Sequence, residues 1–156
     1  MKAVFFDRDN TLIIDSGYMY QPEQLKFFDD TFSVLKRLQD LGFILFIVTN
    51  QSGIGRGYYT EDQMHVFNAN MLKVLKENDI EIKDIVHCPH APDDNCSCRK
   101  PSPELIDNLC QKYQIDKSKS YMVGDKDSDL ESGENAKMKG LKLAPGHLSD
   151  FLDLLS

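Results

Sequence analysis

The chain is 156 residues long and sets 25 acidic residues against 18 lysines and arginines, a formal net charge of −7. That length is enough for one domain with a real core, and a 41% apolar fraction spread along the chain excludes a disordered protein. No apolar run reaches the roughly 18 residues a membrane-spanning helix needs, and an acidic chain without a Lys/Arg block argues against nonspecific duplex binding, which rests on phosphate neutralisation.

In chain order, residues 2–6 form a short apolar run that ends abruptly in Asp7-Arg8-Asp9-Asn10-Thr11, the pattern of a buried strand delivering a polar loop. The start carries one basic residue and meets an acid at position 7, so no secretory leader is read and a cytoplasmic protein is expected. Residues 31–41 repeat Phe32, Leu35, Leu38 and Leu41 at helical spacing, with Gly42 as the C-terminal stop. Residues 43–48 read as a second strand running into Thr49-Asn50-Gln51-Ser52-Gly53. Thr60 and Gln63 have capping-box spacing and open a helix whose inner face is predicted as Val66, Phe67, Met71, Leu72 and Leu75.

A third strand is expected over 84–87, with a cysteine cluster directly after it. Ser102 as N-cap and Pro103 in the first turn then start a helix through Leu105, Ile106, Leu109 and Cys110. A fourth strand over 121–123 leads into Gly124-Asp125-Lys126-Asp127-Ser128-Asp129 and a short helix ending near Ala136. A fifth strand over 141–143 and an amphipathic turn or two over 151–155 complete the chain. Strands alternating with helices predict a Rossmann-like, three-layer α/β domain over 1–156, with a mainly parallel sheet. The longest connections, 15–30 and the cysteine loop 88–98, are too short for a separate domain or a large cap. In such sheets ligands bind beyond the carboxyl ends of the strands, and four predicted strands end in the most polar segments of the chain.

Those segments hold Asp7-x-Asp9-x-Thr11, then Thr49, then Lys100, then Asp125 with Asp129. Singly each is ordinary, since a DxD turn is often only a solvated loop or helix cap; together, in order, each just past a strand, they point to one site. In these four segments the chain resembles the haloacid dehalogenase-like (HAD) phosphohydrolases. The resemblance implies that Asp7 attacks phosphorus and forms an aspartyl-phosphate. It makes Asp9 the proton donor to the leaving oxygen and later the acceptor from water, Thr49 a hydrogen-bond donor to the phosphoryl group, and Lys100 its counter-charge. With Asp7, Asp9, Asp125 and Asp129 ionised against Lys100 alone, a phosphate dianion would be repelled, so a magnesium ion is expected. By the same resemblance its ligands are the carboxylates of Asp7 and Asp125 and the backbone carbonyl of Asp9, with Asp129 supporting a bound water. Asn10 departs from the glycine many members carry, but Asn tolerates the left-handed backbone region.

Cys88, His90, Cys96 and Cys98, with one, five and one residues between them, are the donor set of a closed tetrahedral zinc site, structural because no position is left for water. The alternatives are free buried cysteines or an iron–sulfur cluster. Arg99 and Lys100 follow the last ligand directly, so zinc is expected to pin the loop and aim Lys100. Cys110 reads as core, and His65, His87 and His147 as surface or structural residues.

The clamp, Gly17-Tyr18, residues 49–57 and Cys98-Arg99-Lys100-Pro101 narrow the resemblance to the histidinol-phosphate and heptose bisphosphate phosphatase branch. Ser52, Arg56 and Gly-Asp-Lys at 124–126 are more similar to its D-glycero-D-manno-heptose 1,7-bisphosphate members. The implied substrate is a small phosphate ester, a sugar bisphosphate, bound by Asn50, Arg56, Arg99 and Lys126, three of them cationic donors for two phosphates. Histidinol phosphate is the alternative, its amine and imidazole attracted by Asp93 and Asp94. A phosphate-accepting signalling module without turnover is a third reading, and a nucleic-acid end phosphatase lacks a basic or aromatic track. No heptad pattern or apolar stripe calls for a partner subunit, so a monomer is expected.

Overall fold

The computed structural model describes residues 1–155. Five strands, β1 (Ala3–Phe6), β2 (Ile44–Asn50), β3 (Ile82–Cys88), β4 (Tyr121–Gly124) and β5 (Lys139–Lys142), form one sheet in the order β3-β2-β1-β4-β5. All four pairings are parallel. The connecting helices are α1 (Thr31–Asp40), α2 (Ser52–Gly55), α3 (Glu61–Glu77), α4 (Glu104–Tyr113), α5 (Asp127–Asn135) and α6 (Asp150–Leu155).

The two-residue period of each strand divides the core between two faces. Val4, Phe6, Leu45, Ile47 and Val123 meet Val34, Leu35 and Leu38 of α1, Phe67, Met71 and Leu75 of α3, and Phe151 of α6. The alternate residues Ala3, Phe5, Phe46, Val48 and Met122 meet Ile106, Leu109 and Cys110 of α4, and Met138. The central strand β1 is covered on both sides, which is why it is an unbroken apolar run with no exposed residue. Each large side chain buried this way contributes about 1.5–3 kcal/mol.

The chain winds outward from β1 through β2 to β3 and, in the other direction, to β4 and β5, so the sheet reverses its order between β1 and β4. At such a switch point the loops diverge and leave a crevice, and it is there that Asp7 and Asp125 stand. Residues 7–30, between β1 and α1, hold only a single 3₁₀ turn (Pro22–Gln24) and isolated bridges joining Ile13 to Asp9 and Phe27, so no cap domain lies between them. Among the described residues no helix is long and apolar enough to cross a membrane.

Several predicted details shift. Thr60 does cap α3, accepting from Gln63 N at 3.1 Å while Gln63 Oε1 accepts from Thr60 N at 2.9 Å. The buried face is Met64, Phe67, Asn68, Met71 and Leu75, leaving Leu72 at its edge and Val66 58% exposed, because one residue off the stripe is a rotation of about 100°. α4 begins at Glu104, whose N–H still donates to Ser102 Oγ at 3.2 Å. β5 starts two residues and ends one residue before the predicted 141–143, and Gly140 within it faces α5 so closely that a Cβ there would sit 2.1 Å from the Leu130 carbonyl oxygen. Glycine carries no hydrophobic signal, which hid the start of the strand. Asn10 takes φ +62°, the left-handed turn its side chain tolerates.

Candidate active site

β1 ends by delivering Asp7, whose backbone N–H donates to the Val123 carbonyl at 3.0 Å and so ties the loop to β4. The Lys100 ammonium lies 2.9 Å from Asp7 Oδ1, 2.6 Å from Asp129 Oδ1 and 2.9 Å from the Val48 carbonyl, meeting all three of its N–H bonds in a nearly water-free setting. Asp129 is also a helix cap: its Oδ2 accepts from Lys126 N at 3.1 Å. Asn50 brackets the backbone of Lys100, accepting from its N–H at 3.1 Å and donating to its carbonyl at 3.5 Å. Residues 93 positions apart in the chain thus meet at one point.

Carboxylate oxygens of Asp7, Asp125 and Asp129 all lie within 4.8 Å of one another. Asp125 Oδ1 is buried without a hydrogen-bond partner. Burial pushes Asp7 up to about 7, with Lys100 pulling it down and Asp129 and Asp9 pushing further up. Asp125 is raised by burial and by Asp129. Crowded carboxylates with an unmet oxygen and one ammonium among them are short of positive charge, so this donor set fits a hard divalent cation.

A cavity of about 260 Å³ opens above these groups, lined by Asp7, Asp9, Asn50, Lys100, Lys126 and Asp129 among the predicted residues. Asn10, Asp15, Gly17, Tyr18, Gln51, Ser52, Gly53, Tyr59 and Ser128 complete the wall. Thr49 is fully buried beneath it, its hydroxyl accepting from Gln51 Nε2 at 2.9 Å. Arg56 and Arg99 lie outside the lining. Arg56 is exposed just past the end of α2 with its Nε 3.4 Å from Ser52 Oγ, and Arg99 has a buried Nη1 without a partner.

Sequence reasoning passed over Arg8, although it is among the largest fully buried side chains and its guanidinium grips Asp9 at 2.8 and 3.2 Å. No local signal marks it: an arginine between two acids reads as a solvated turn, and its other partners, Gln51 and Asn68, are 43 and 60 residues away.

The clamp residues also converge. Cys88 Sγ lies 2.7 Å from Cys98 Sγ, 3.5 Å from Cys96 Sγ and 3.4 Å from His90 Nδ1. Burial, with help from the neighbouring Cys98 thiol, pushes Cys88 up to about 12, and a dication held by the three sulfurs and the imidazole would reverse that cost. The loop is docked on α2, where Gly55 N donates to the Pro89 carbonyl at 2.8 Å. Asp94 is used internally, accepting from Ala91 N at 2.7 Å, and neither it nor Asp93 lines the cavity. His87 pairs with Glu61 at 2.8 Å, and Cys110 is core.

The family model described as polynucleotide kinase 3 phosphatase matches residues 2–140. The D-glycero-beta-D-manno-heptose-1,7-bisphosphate 7-phosphatase of Helicobacter pylori is 45% identical over 139 residues, covering 88% of this chain and 80% of that protein. A crystal structure of the D,D-heptose 1,7-bisphosphate phosphatase from B. bronchiseptica, complexed with magnesium and phosphate, superposes with a TM-score of 0.87 at 27% identity, covering 99% of this chain and 87% of that one. The chain belongs to the HAD phosphatase superfamily, in its heptose bisphosphate phosphatase branch. As a HAD phosphatase it is a phosphomonoester hydrolase. A probable enzyme of the same branch from Thermoplasma volcanium is 47% identical over 126 residues, 81% of this chain and 86% of that protein.

Proposed function

We propose that this HAD phosphatase removes the 7-phosphate of a D-glycero-D-manno-heptose 1,7-bisphosphate, with Asp7 carrying the phosphoryl group between two half-reactions. The observation that carries the reading is the Asp7 carboxylate in the cavity wall, held by Lys100 at 2.9 Å with Asp9 in the same wall, in a chain 45% identical to such an enzyme. Asp7 and Asp125 with the backbone carbonyl of Asp9 would hold a magnesium ion, and Asp129 would orient a water on it. The ion supplies positive charge that lets a phosphate dianion approach the carboxylates and offsets charge on the transferring group.

An Asp7 oxygen attacks phosphorus as the ester P–O bond breaks, and the leaving sugar oxygen takes a proton from Asp9. A water then attacks the aspartyl-phosphate, giving its proton to Asp9 and returning Asp7 as a carboxylate. Lys100 keeps Asp7 Oδ1 in place through both steps and balances charge that develops beside it. Lys126, exposed and in the cavity lining, would meet the second phosphate. Phosphate release from heptose bisphosphate and from histidinol phosphate, measured side by side with magnesium, tests the substrate. We expect at least a tenfold preference for the bisphosphate, and a tenfold preference for histidinol phosphate overturns the assignment.

Zinc is the proposed occupant of Cys88, His90, Cys96 and Cys98. Cys98 lies two residues before Lys100, so loosening the clamp releases the segment that aims the ammonium. A verified zinc-free sample is expected to lose turnover even with magnesium in excess; unchanged activity refutes the coupling.

The raised Asp7 carboxyl gives a pH dependence of known sign. Between the ordinary carboxylate range and about pH 7, the folded, metal-free protein holds a proton on Asp7 that the unfolded chain has released. Its stability therefore falls as pH rises through that window. Magnesium replaces the proton, so the ion's effect on the melting temperature, measured against a chelator control, is expected to be larger at pH 7.5 than at 5.5. An equal shift at both values contradicts Asp7 as a ligand.

A further inference from the structure

We propose that Arg8 is a positioning residue for Asp9, held in its working geometry by Asn68 of α3 and by Gln51; this rests on reading Asp9 as the proton donor. The Arg8 side chain is 1% exposed and outside the cavity lining. Burying a guanidinium is costly unless its donors are met. Here Nε donates to Asp9 Oδ1 at 2.8 Å, Nη2 to Asp9 Oδ2 and to Gln51 Oε1 at 3.2 Å each, and Nη1 to Asn68 Oδ1 at 2.9 Å. The Phe67 ring lies 4.7 Å from the guanidinium carbon and closes its face.

Asn68 is the polar member of an otherwise apolar helix face formed by Met64, Phe67, Met71 and Leu75. A buried amide in mid-helix weakens that face unless something needs it, and what it accepts from is Arg8. Gln51 extends the grip: Oε1 also accepts from the Tyr59 hydroxyl, and Nε2 lies 2.9 Å from Thr49 Oγ1 and 3.4 Å from Asp9 Oδ2. A purely structural arginine could pair with any nearby acid, whereas this one is forked onto a carboxylate that remains 26% exposed and lines the cavity. The fork fixes the carboxylate plane and leaves lone pairs free to carry a proton. When the ester P–O bond breaks and the Asp7–P bond forms, the Asp9 O–H proton passes to the leaving oxygen, and the charge left on Asp9 falls on the two oxygens that Arg8 contacts.

Leaving-group dependence of the first half-reaction, followed as single-turnover release of the sugar or of p-nitrophenolate, separates positioning from general damage. A sugar alkoxide needs that proton and p-nitrophenolate does not, whereas hydrolysis of the aspartyl-phosphate, in which Asp9 takes the water's proton, is common to both esters. With magnesium present, Arg8→Met is expected to slow single-turnover release of the sugar by about 100-fold, within the range a general acid supplies, with substrate affinity little changed. On p-nitrophenyl phosphate the loss stays within about fivefold, since the acid contributes little there. Combined with Asp9→Asn, Arg8→Met should cost nothing further. Equal losses on both esters, or an additive double variant, overturn the proposal. Asp9→Asn alone is the control: if it treats both esters alike, the proton-donor reading fails, and if it discriminates while the Arg8 variant does not, only the positioning role fails. Should Arg8→Met fail to fold, Asn68→Leu, which removes one acceptor, is expected to show the same discrimination at about tenfold; a folded Asn68→Leu protein without it overturns the proposal.

Discussion

Asp7→Asn is expected to abolish phosphate release, with kcat lowered at least about 1,000-fold, because an amide has no lone pair basic enough to attack phosphorus and no aspartyl-phosphate can form. The fold should survive. Asp7 is almost fully buried and its carboxyl is pushed up to about 7, chiefly by burial, so ionising it in the metal-free protein works against folding at neutral pH. Lys100 keeps Asp129 at 2.6 Å and the Val48 carbonyl at 2.9 Å, so the amide does not strand a buried cation. Without magnesium the variant should melt no lower than the parent at pH 7.5. Phosphate release within tenfold of the parent would remove Asp7 from the nucleophile's role. A parent protein that accumulates stable phospho-Asp7 and frees no phosphate would instead behave as a phosphate-accepting module.

Lys100→Met is expected to be less damaging to activity than Asp7→Asn and far more damaging to stability. Burial drives the Lys100 ammonium towards losing its proton, but Asp7 and Asp129 more than reverse this and hold it above the ordinary lysine value. Removing the cation leaves two carboxylates crowded together out of water, a change that costs about 3–5 kcal/mol when one partner of a buried ion pair is deleted. In chelator at pH 8 that loss should appear in urea denaturation. It should shrink towards pH 5, where Asp7 in the folded protein takes up a proton and the repulsion it shares with Asp129 is relieved. Magnesium should restore part of the stability, since a dication can offset the same carboxylates, but kcat should remain down by about 100-fold or more for want of the fixed charge at Asp7. A variant with parental stability in chelator at pH 8 would show that the carboxylates do not depend on the lysine.

Much of the site was legible because its chemistry is tied to strand ends. A buried parallel strand is apolar along its core-facing length, so the sudden arrival of Asp7 and Asp125 marks where β1 and β4 leave the core, and Thr49 is the first polar residue of β2, one before its end. The clamp was legible from donor type and spacing alone. The limits were physical ones. Thr49 comes at the right place in β2, yet whether its hydroxyl faces the cavity or lies beneath it depends on Gln51, which folds back to bind it. Arg56 and Arg99 have the right charge for a bisphosphate, but the packing of α2 against the clamp loop leaves both outside the cavity lining. Val66 and Met64 differ by about half a turn of helix, finer than a mixed apolar pattern resolves.

The sequence by itself determined the order of strands and helices, the acidic and cysteine-rich loops, and the charge deficit that calls for a cation, because hydrophobic period and residue chemistry act over a few neighbouring positions. Only the tertiary structure decided that Arg8 is buried, that Asn68 and Gln51 hold it against Asp9, and which cations stand in the cavity wall. Those outcomes depend on groups more than forty residues apart meeting after the core has closed, and a buried charge is tolerated only where such distant partners happen to satisfy it.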